Sequence, residues 1–337
     1  MFSLSKRMEW IDMLRGLCIL FVVIGHLRPN TLVERYLYSI HVFLFFAISG
    51  FLFSPDTKLN LNYIRNKARR LLTPYVFWSV FATIMAIILG THWTKALRTM
   101  LTLGGSIGIN RPIWFLPVLF VTEILYALLH QRWKSINLFL LLACPPIWYA
   151  CKGFTPIFKL DIVPLALFFF SLGALLRHIL LSENAGKPQR IMGPVVLAGA
   201  ALCHLYFGVY KNIRIVFTFS EFGNYLFCIL AGIGGVLFFF LVFHKLPTCH
   251  LLARIGRTSL FIMCIHYRLL FWGDLIVEKL FTYDLMGTRS TVKAVLVGVI
   301  VTLSITAFTY LSEPICIKYP AARKLAQLVG IPVSIHI

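Results

Sequence analysis

The sequence predicts an all-α, polytopic integral membrane protein. About ten transmembrane helices are expected, with both termini inside (N-in/C-in) and no appended soluble domain. Three observations predict this. First, 59% of the 337 residues are hydrophobic and only 13% are charged, with a mean hydropathy of +0.84. A soluble domain of this length needs far more polar surface to cover its core. Second, apolar runs near twenty residues, the length that crosses hydrocarbon as a helix, recur along the whole chain. Third, Lys+Arg number 32 against Asp+Glu 12, and the cations fall mainly between the runs. That placement sets orientation and does not describe a nucleic-acid patch.

The elements follow in order. Span 10–28 is apolar from Leu17 to Ile24 and follows a short basic start, Lys6 and Arg7. No small-residue cleavage site follows it, so it reads as a retained helix and not a signal peptide. Span 36–54 contains "ISGF" (48–51), whose Gly50 permits close helix packing. The densest basic stretch, "NYIRNKARRLLTPY" (62–75), leads into span 73–90, with Pro74 at its start. There a missing N–H costs little. Span 113–130 opens with Trp114 at the interface, where an aromatic belt is expected. Spans 136–151, 162–180, 191–209, 223–243, 258–273 and 293–313 complete the set, with Pro314 as the last boundary. Pro117 and Pro164 are expected to kink their helices, which membranes tolerate only where protein or water covers the freed backbone. No internal repeat breaks the chain, so residues 1–337 read as one membrane domain.

With the N-terminus inside, the inner segments hold 18 basic residues against 13 outside, Arg15 apart. The outer loops are themselves basic, with Lys95, Arg98, Arg111, Lys211 and Arg214. The eight cysteines lie mostly in apolar segments, with no CxxC pair and no metal-ligand spacing. They read as small buried hydrophobes, and no metal is expected.

Ionisable groups inside spans are costly in hydrocarbon, so each is a candidate site residue. They are Asp12, Arg15, His26, His41, Glu123, His204, His266 and Glu313. Arg15 and His26 are eleven residues apart. Eleven steps of about 100° make three turns plus roughly 20°, so both share one helix face, about 16 Å apart. Asp12, three residues before Arg15, can pair with it. An elongated anion could lie along this face, its phosphate on the arginine fork and a reacting group at the imidazole. A snorkelling arginine and a boundary histidine would give the same pattern. His41 sits at the level of His26. Arg69 and Arg70 read either as an inside anchor or as a phosphate clamp at the inner mouth. Glu123 calls for a partner, an arginine or histidine of the first spans. His266 lies mid-to-outer in its span, Glu313 ends the last one, and His204 reads as structural.

Taken together, these motifs resemble the membrane-bound acyltransferase 3 family, in its fucose 4-O-acetylase-like, cell-envelope O-acetyltransferase branch. "WIDMLRGLCILFVVIGH" carries the Arg-x10-His first helix, and "SIHVFLFFAISGFLF" resembles the second, with Val42 where proline is common. "ARRLLTPYVFW", "IWFLPVLF", "FFFSLGALLRH", "IGRTSLFIMCIHY" and "YLSEPI" follow in the expected order. The resemblance spans nearly the whole chain.

It implies an O-acyltransferase of the cell inner membrane. The donor would be cytoplasmic acetyl-CoA, and the acceptor a surface polysaccharide or a lipid-linked glycan precursor. His26 would be general base or acyl carrier, with Glu123, Glu313 or His41 orienting it or stabilising charge. Arg15, Arg69 and Arg70 would hold the CoA phosphates. His41, Trp114, His266 and Asp12 would position the groups around them. The expected partners are acyl-CoA, the glycan and membrane lipid, without nucleic acid; a homo-oligomer or a glycan-assembly partner is compatible with the chain. Two alternatives stay open: transfer of succinyl or another acyl group, for which Arg268 beside His266 would supply a cation, and transport of a glycan or solute.

Overall fold

The computed structural model describes residues 8–88, 90, 94, 97–98, 111–154, 156–181, 188–211, 215–281 and 289–332. Lys6, Arg7, Lys95, Lys187 and Arg214 of the orientation pattern lie outside the described residues, as do the side chains of Arg111 and Arg190. The chain is helical, and its one β contact among the described residues is the isolated pair Val216–Glu221. Seven helical stretches among the described residues are long and apolar enough to cross a membrane: Thr31–Phe51, Leu61–Ile88, Pro112–Arg132, Ile157–Leu180, Gly193–Lys211, Tyr225–Phe243 and Thr291–Lys318. Ile136–Ala150 is a shorter apolar helix.

Helix α1 (Glu9–His26) carries Glu9, Asp12 and Arg15 and is mostly buried. It packs against α2 (Thr31–Tyr38), α3 (His41–Phe51), α9 (Tyr225–Phe243), α10 (His250–Arg257), α11 (Ser259–Phe281) and α12 (Thr291–Lys318). Between α3 and α9 in sequence come α4 (Leu61–Ile88), α5 (Phe115–Arg132), α6 (Ile136–Ala150), α7 (Val163–Leu180) and α8 (Pro188–His204), which runs on into a π-helical turn at Leu205–Lys211. A short α13 (Pro320–Val329) follows α12 and lies on α4.

Two seams bring backbones into contact. Along α1 and α10, a Cβ at Gly16 would strike the Leu252 carbonyl, and one at Gly256 the Asp12 carbonyl. Along α3 and α7, Gly50 faces the Phe170 carbonyl and Gly173 the Ala47 carbonyl in the same reciprocal way. Small residues at such seams let dispersion and backbone contact replace the hydrophobic drive that lipid removes.

Three expectations need correction. Pro74 and Pro314 do not bound helices: α4 starts at Leu61 and runs through Pro74, and α12 runs through Pro314 to Lys318. Hydropathy marks where lipid contact begins, and a charged segment of good helix formers continues the helix beyond it. Pro164, expected to kink, sits at the start of α7, where its missing N–H has no bond to break. Span 36–54 is not one helix, because the chain breaks at Ser39–Ile40 between α2 and α3. At the break the Leu37 carbonyl accepts from the Ile40 N–H at 3.3 Å and from His41 Nδ1–H at 2.5 Å.

Candidate active site

Two adjacent cavities open along α1. The one at its C-terminal end is lined by His26, Tyr38, His41, Trp114 and the segment carrying Phe217 and Phe219. The other is lined by Arg15, Lys67, Arg70, Glu123 and Arg257. Phe45, Phe115 and Met263 line both, so three apolar side chains form a common wall between a histidine chamber and a cationic chamber.

In the histidine chamber the ring of His26 meets those of His266 at 5.4 Å, Tyr267 at 5.1 Å and Tyr38 at 6.2 Å. The Tyr38 hydroxyl stands 3.5 Å from His26 Nδ1. His266 is fully buried, and its Nδ1–H donates to the Ile262 carbonyl at 2.8 Å. A backbone acceptor on Nδ1 fixes the tautomer and leaves Nε2 as the lone-pair nitrogen. That Nε2 is buried without a hydrogen-bond partner. His41 is held in the same tautomer by Leu37. His41 and His266 thus each turn Nδ1 to a backbone carbonyl, and the His266 ring stands beside that of His26.

The cationic chamber is less positive than its lining residues alone suggest. Arg15 faces Asp12 at 3.7 Å. The partner of Glu123 is Lys67, at 2.8 Å, and not the expected arginine or histidine of the first spans. Arg70 and Arg257 make no ion pair among the described residues, so their charges remain for a ligand.

A buried cluster holds the segment next to Phe217 and Phe219, which line the histidine chamber. Lys159, 3% exposed, donates to Ser220 Oγ at 2.5 Å and lies 3.5 Å from Asp161 Oδ2. Ser220 donates in turn to Asp161. Phe158, Lys159 and Ser220 all have φ between 54 and 58°. For residues other than glycine this costs on the order of 1–3 kcal/mol each, so the cluster must hold them there. It pins the turn whose Phe217 stacks on Trp114, centroids 5.6 Å apart. Lys159→Met would strand the buried Asp161 carboxylate and is expected to cost about 3–5 kcal/mol. Ser220→Ala should cost about 1 kcal/mol. Thermal unfolding in detergent reads both, and two unchanged midpoints would rule the clamp out.

Not every predicted residue reaches these chambers. Arg69, one helical step of about 100° from Arg70 on α4, lies instead in an outer groove with Arg65. Glu313 is half-buried and lines neither chamber. Arg268 is also elsewhere: it donates to the carbonyls of Cys264 and Trp78 and covers the Trp78 and Phe81 rings, so it does not greet an acyl group beside His26. Conversely, Tyr38, Lys67, Arg257 and Tyr267 were not singled out in the sequence.

A family model described as an acyltransferase domain, acyltransferase 3, matches residues 8–312. The chain belongs to the acyltransferase 3 family. No curated protein and no solved structure matches it. As a membrane acyltransferase, it needs a donor site and a reacting centre in one pathway. The matched region contains both chambers, whose lining residues run from Arg15 to Met263.

Proposed function

We propose that this acyltransferase moves an acetyl group from cytoplasmic acetyl-CoA to a sugar hydroxyl of a surface polysaccharide or lipid-linked glycan precursor, in the inner membrane. The observation that carries the proposal is the wall of Phe45, Phe115 and Met263 shared by a chamber with two uncompensated arginines and a chamber of imidazoles. Phosphates would dock on Arg70 and Arg257, for which a planar donor fork suits them. Arg15, partly neutralised by Asp12, would steer them. The acyl arm would pass the apolar wall, which keeps water from the thioester.

At the far end His26 takes the proton of the attacking hydroxyl. The hydroxyl oxygen adds to the thioester carbonyl, the C–S bond breaks, and the imidazolium returns the proton to the CoA thiolate. The products are an acetyl ester and free CoA. Tyr38 and the acceptor nitrogens of His41 and His266 orient the hydroxyl and the imidazole. The histidine chamber encloses about 90 Å³, well short of the roughly 300–1,000 Å³ that swallows a drug-sized ligand. The acceptor would thus offer one edge while the rest of the glycan stays outside.

Membranes carrying the chain, given radiolabelled acetyl-CoA and endogenous glycan, should place alkali-labile label on the glycan. Label from succinyl-CoA alone would change the donor. No label from any acyl-CoA, with altered surface glycan on deletion of the gene, would favour transport. Arg70→Gln and Arg257→Gln should each raise the KM for acyl-CoA about tenfold with little change in kcat, since charged hydrogen bonds contribute about 1.5–3 kcal/mol. A change confined to kcat would move these arginines out of the donor site.

A further inference from the structure

The outer face of α4 carries a second feature that acyl transfer does not use. Arg65, Arg69, Thr73, Val76, Val80 and Ile84 recur at steps of three and four, so they form one stripe along the helix. With Phe77, Phe81 and Leu328 of α13 they line an open groove of about 610 Å³. Polar character is confined to one end. Arg65 and Arg69 are exposed and make no hydrogen bond or ion pair among the described residues. Beyond Thr73 the lining is apolar, and Val76, Val80 and Ile84 are each about half exposed.

The groove is braced on both sides, unlike a bare helix face. Trp78 Nε1–H donates to the Val329 carbonyl at 2.9 Å, which ties α13 to α4 and places Leu328 at the groove. The buried guanidinium of Arg268 accepts no role in the chambers but bonds the Trp78 carbonyl at 2.9 Å and lies 5.4 Å from the Phe81 ring. The wall is thus held from inside the protein while its outer surface stays open.

We propose that this groove binds one anionic phospholipid, with its phosphate on Arg65 and Arg69 and an acyl chain along Val76, Val80 and Ile84. Charge complementarity selects the occupant. Two free guanidinium forks side by side fit a phosphate, and the apolar stripe beyond them fits a chain. From Arg69 to Ile84 the helix rises about 22 Å, which covers the roughly 15 Å depth of one hydrocarbon leaflet. A free phosphate uses only the cationic end. A zwitterionic lipid uses the stripe but brings no net charge to the arginines.

The test is native mass spectrometry of the full chain in detergent. It uses phosphatidylglycerol, phosphatidylcholine of matched chains, and inorganic phosphate as probes. One phosphatidylglycerol should be retained in preference to phosphatidylcholine. Arg65→Gln with Arg69→Gln should weaken its retention by about 30-fold, roughly fivefold per arginine. Val80→Trp, which keeps both cations and fills the stripe, should also lose the lipid. Equal retention of the two lipids would overturn the proposal, as would inorganic phosphate bound as tightly as the lipid. Wild-type retention in either variant would overturn it too. The readout is lipid mass, so it stands or falls independently of the acyl donor.

Discussion

Replacing His26 with alanine is expected to lower acyl transfer by about 10²–10⁴-fold, the range that a positioned general base contributes. The donor site should survive the change. Arg70 and Arg257 line the other chamber, across the wall of Phe45, Phe115 and Met263, so acyl-CoA should still bind. His26 meets its neighbours through ring contacts with Tyr38, His266 and Tyr267, and its truncation should leave the helices in place. Tyr38→Phe removes only a hydroxyl 3.5 Å from the imidazole and should cost about tenfold or less. Wild type and variants would be compared at matched expression, with alkali-labile label on the glycan as readout and circular dichroism as the check on folding. Full activity in His26→Ala would remove this residue from the chemistry and leave His41 or His266 as the base.

The second large effect is structural. Gly50→Val should abolish recovery of folded protein. Any Cβ at Gly50 would run into the Phe170 carbonyl, and Gly173 meets Ala47 in the same way, so backbone faces backbone on both sides of the α3–α7 seam. No rotamer change relieves such a contact. Overpacking costs about 1–3 kcal/mol where side chains can yield, and more is expected here, where they cannot. The seam also holds α3, which carries His41, against the body of the bundle. Gly199→Ala and Gly273→Ala are the controls, because a Cβ at either position meets nothing within 4 Å. Both should fold at wild-type yield. The yield of monodisperse protein on size exclusion distinguishes these cases, and normal yield of Gly50→Val would refute the seam.

How far the site was readable depended on where helical periodicity was applied. Along α1 the apolar run covers the whole segment from Arg15 to His26, so their common face follows from eleven steps of about 100°. In the structure each lines one of two neighbouring chambers. Along α4 the helical periodicity begins well before the apolar run. With the helix starting at 73, Arg69 and Arg70 looked like one basic clamp. The helix begins at Leu61, so one step of about 100° separates them: Arg70 joins Lys67 in the chamber and Arg69 joins Arg65 outside. Lys67 was thus present in the sequence pattern but hidden by a boundary drawn from hydropathy.

The amino-acid sequence alone determined that the chain is a helical membrane protein, which segments are apolar, and which ionisable groups are unusual in them. These properties are local: the length of an apolar run and the spacing of polar residues within one helix suffice to read them. The tertiary structure alone decided that Glu123 pairs with Lys67, that Arg268 turns to Trp78, and that Tyr38 of α2 reaches back to His26 of α1. It also decided that Lys159, Asp161 and Ser220 meet across 61 residues of chain. Such pairings depend on the rotation of one helix against another and on where backbones approach, and glycine seams settle both at distances no single-helix pattern records.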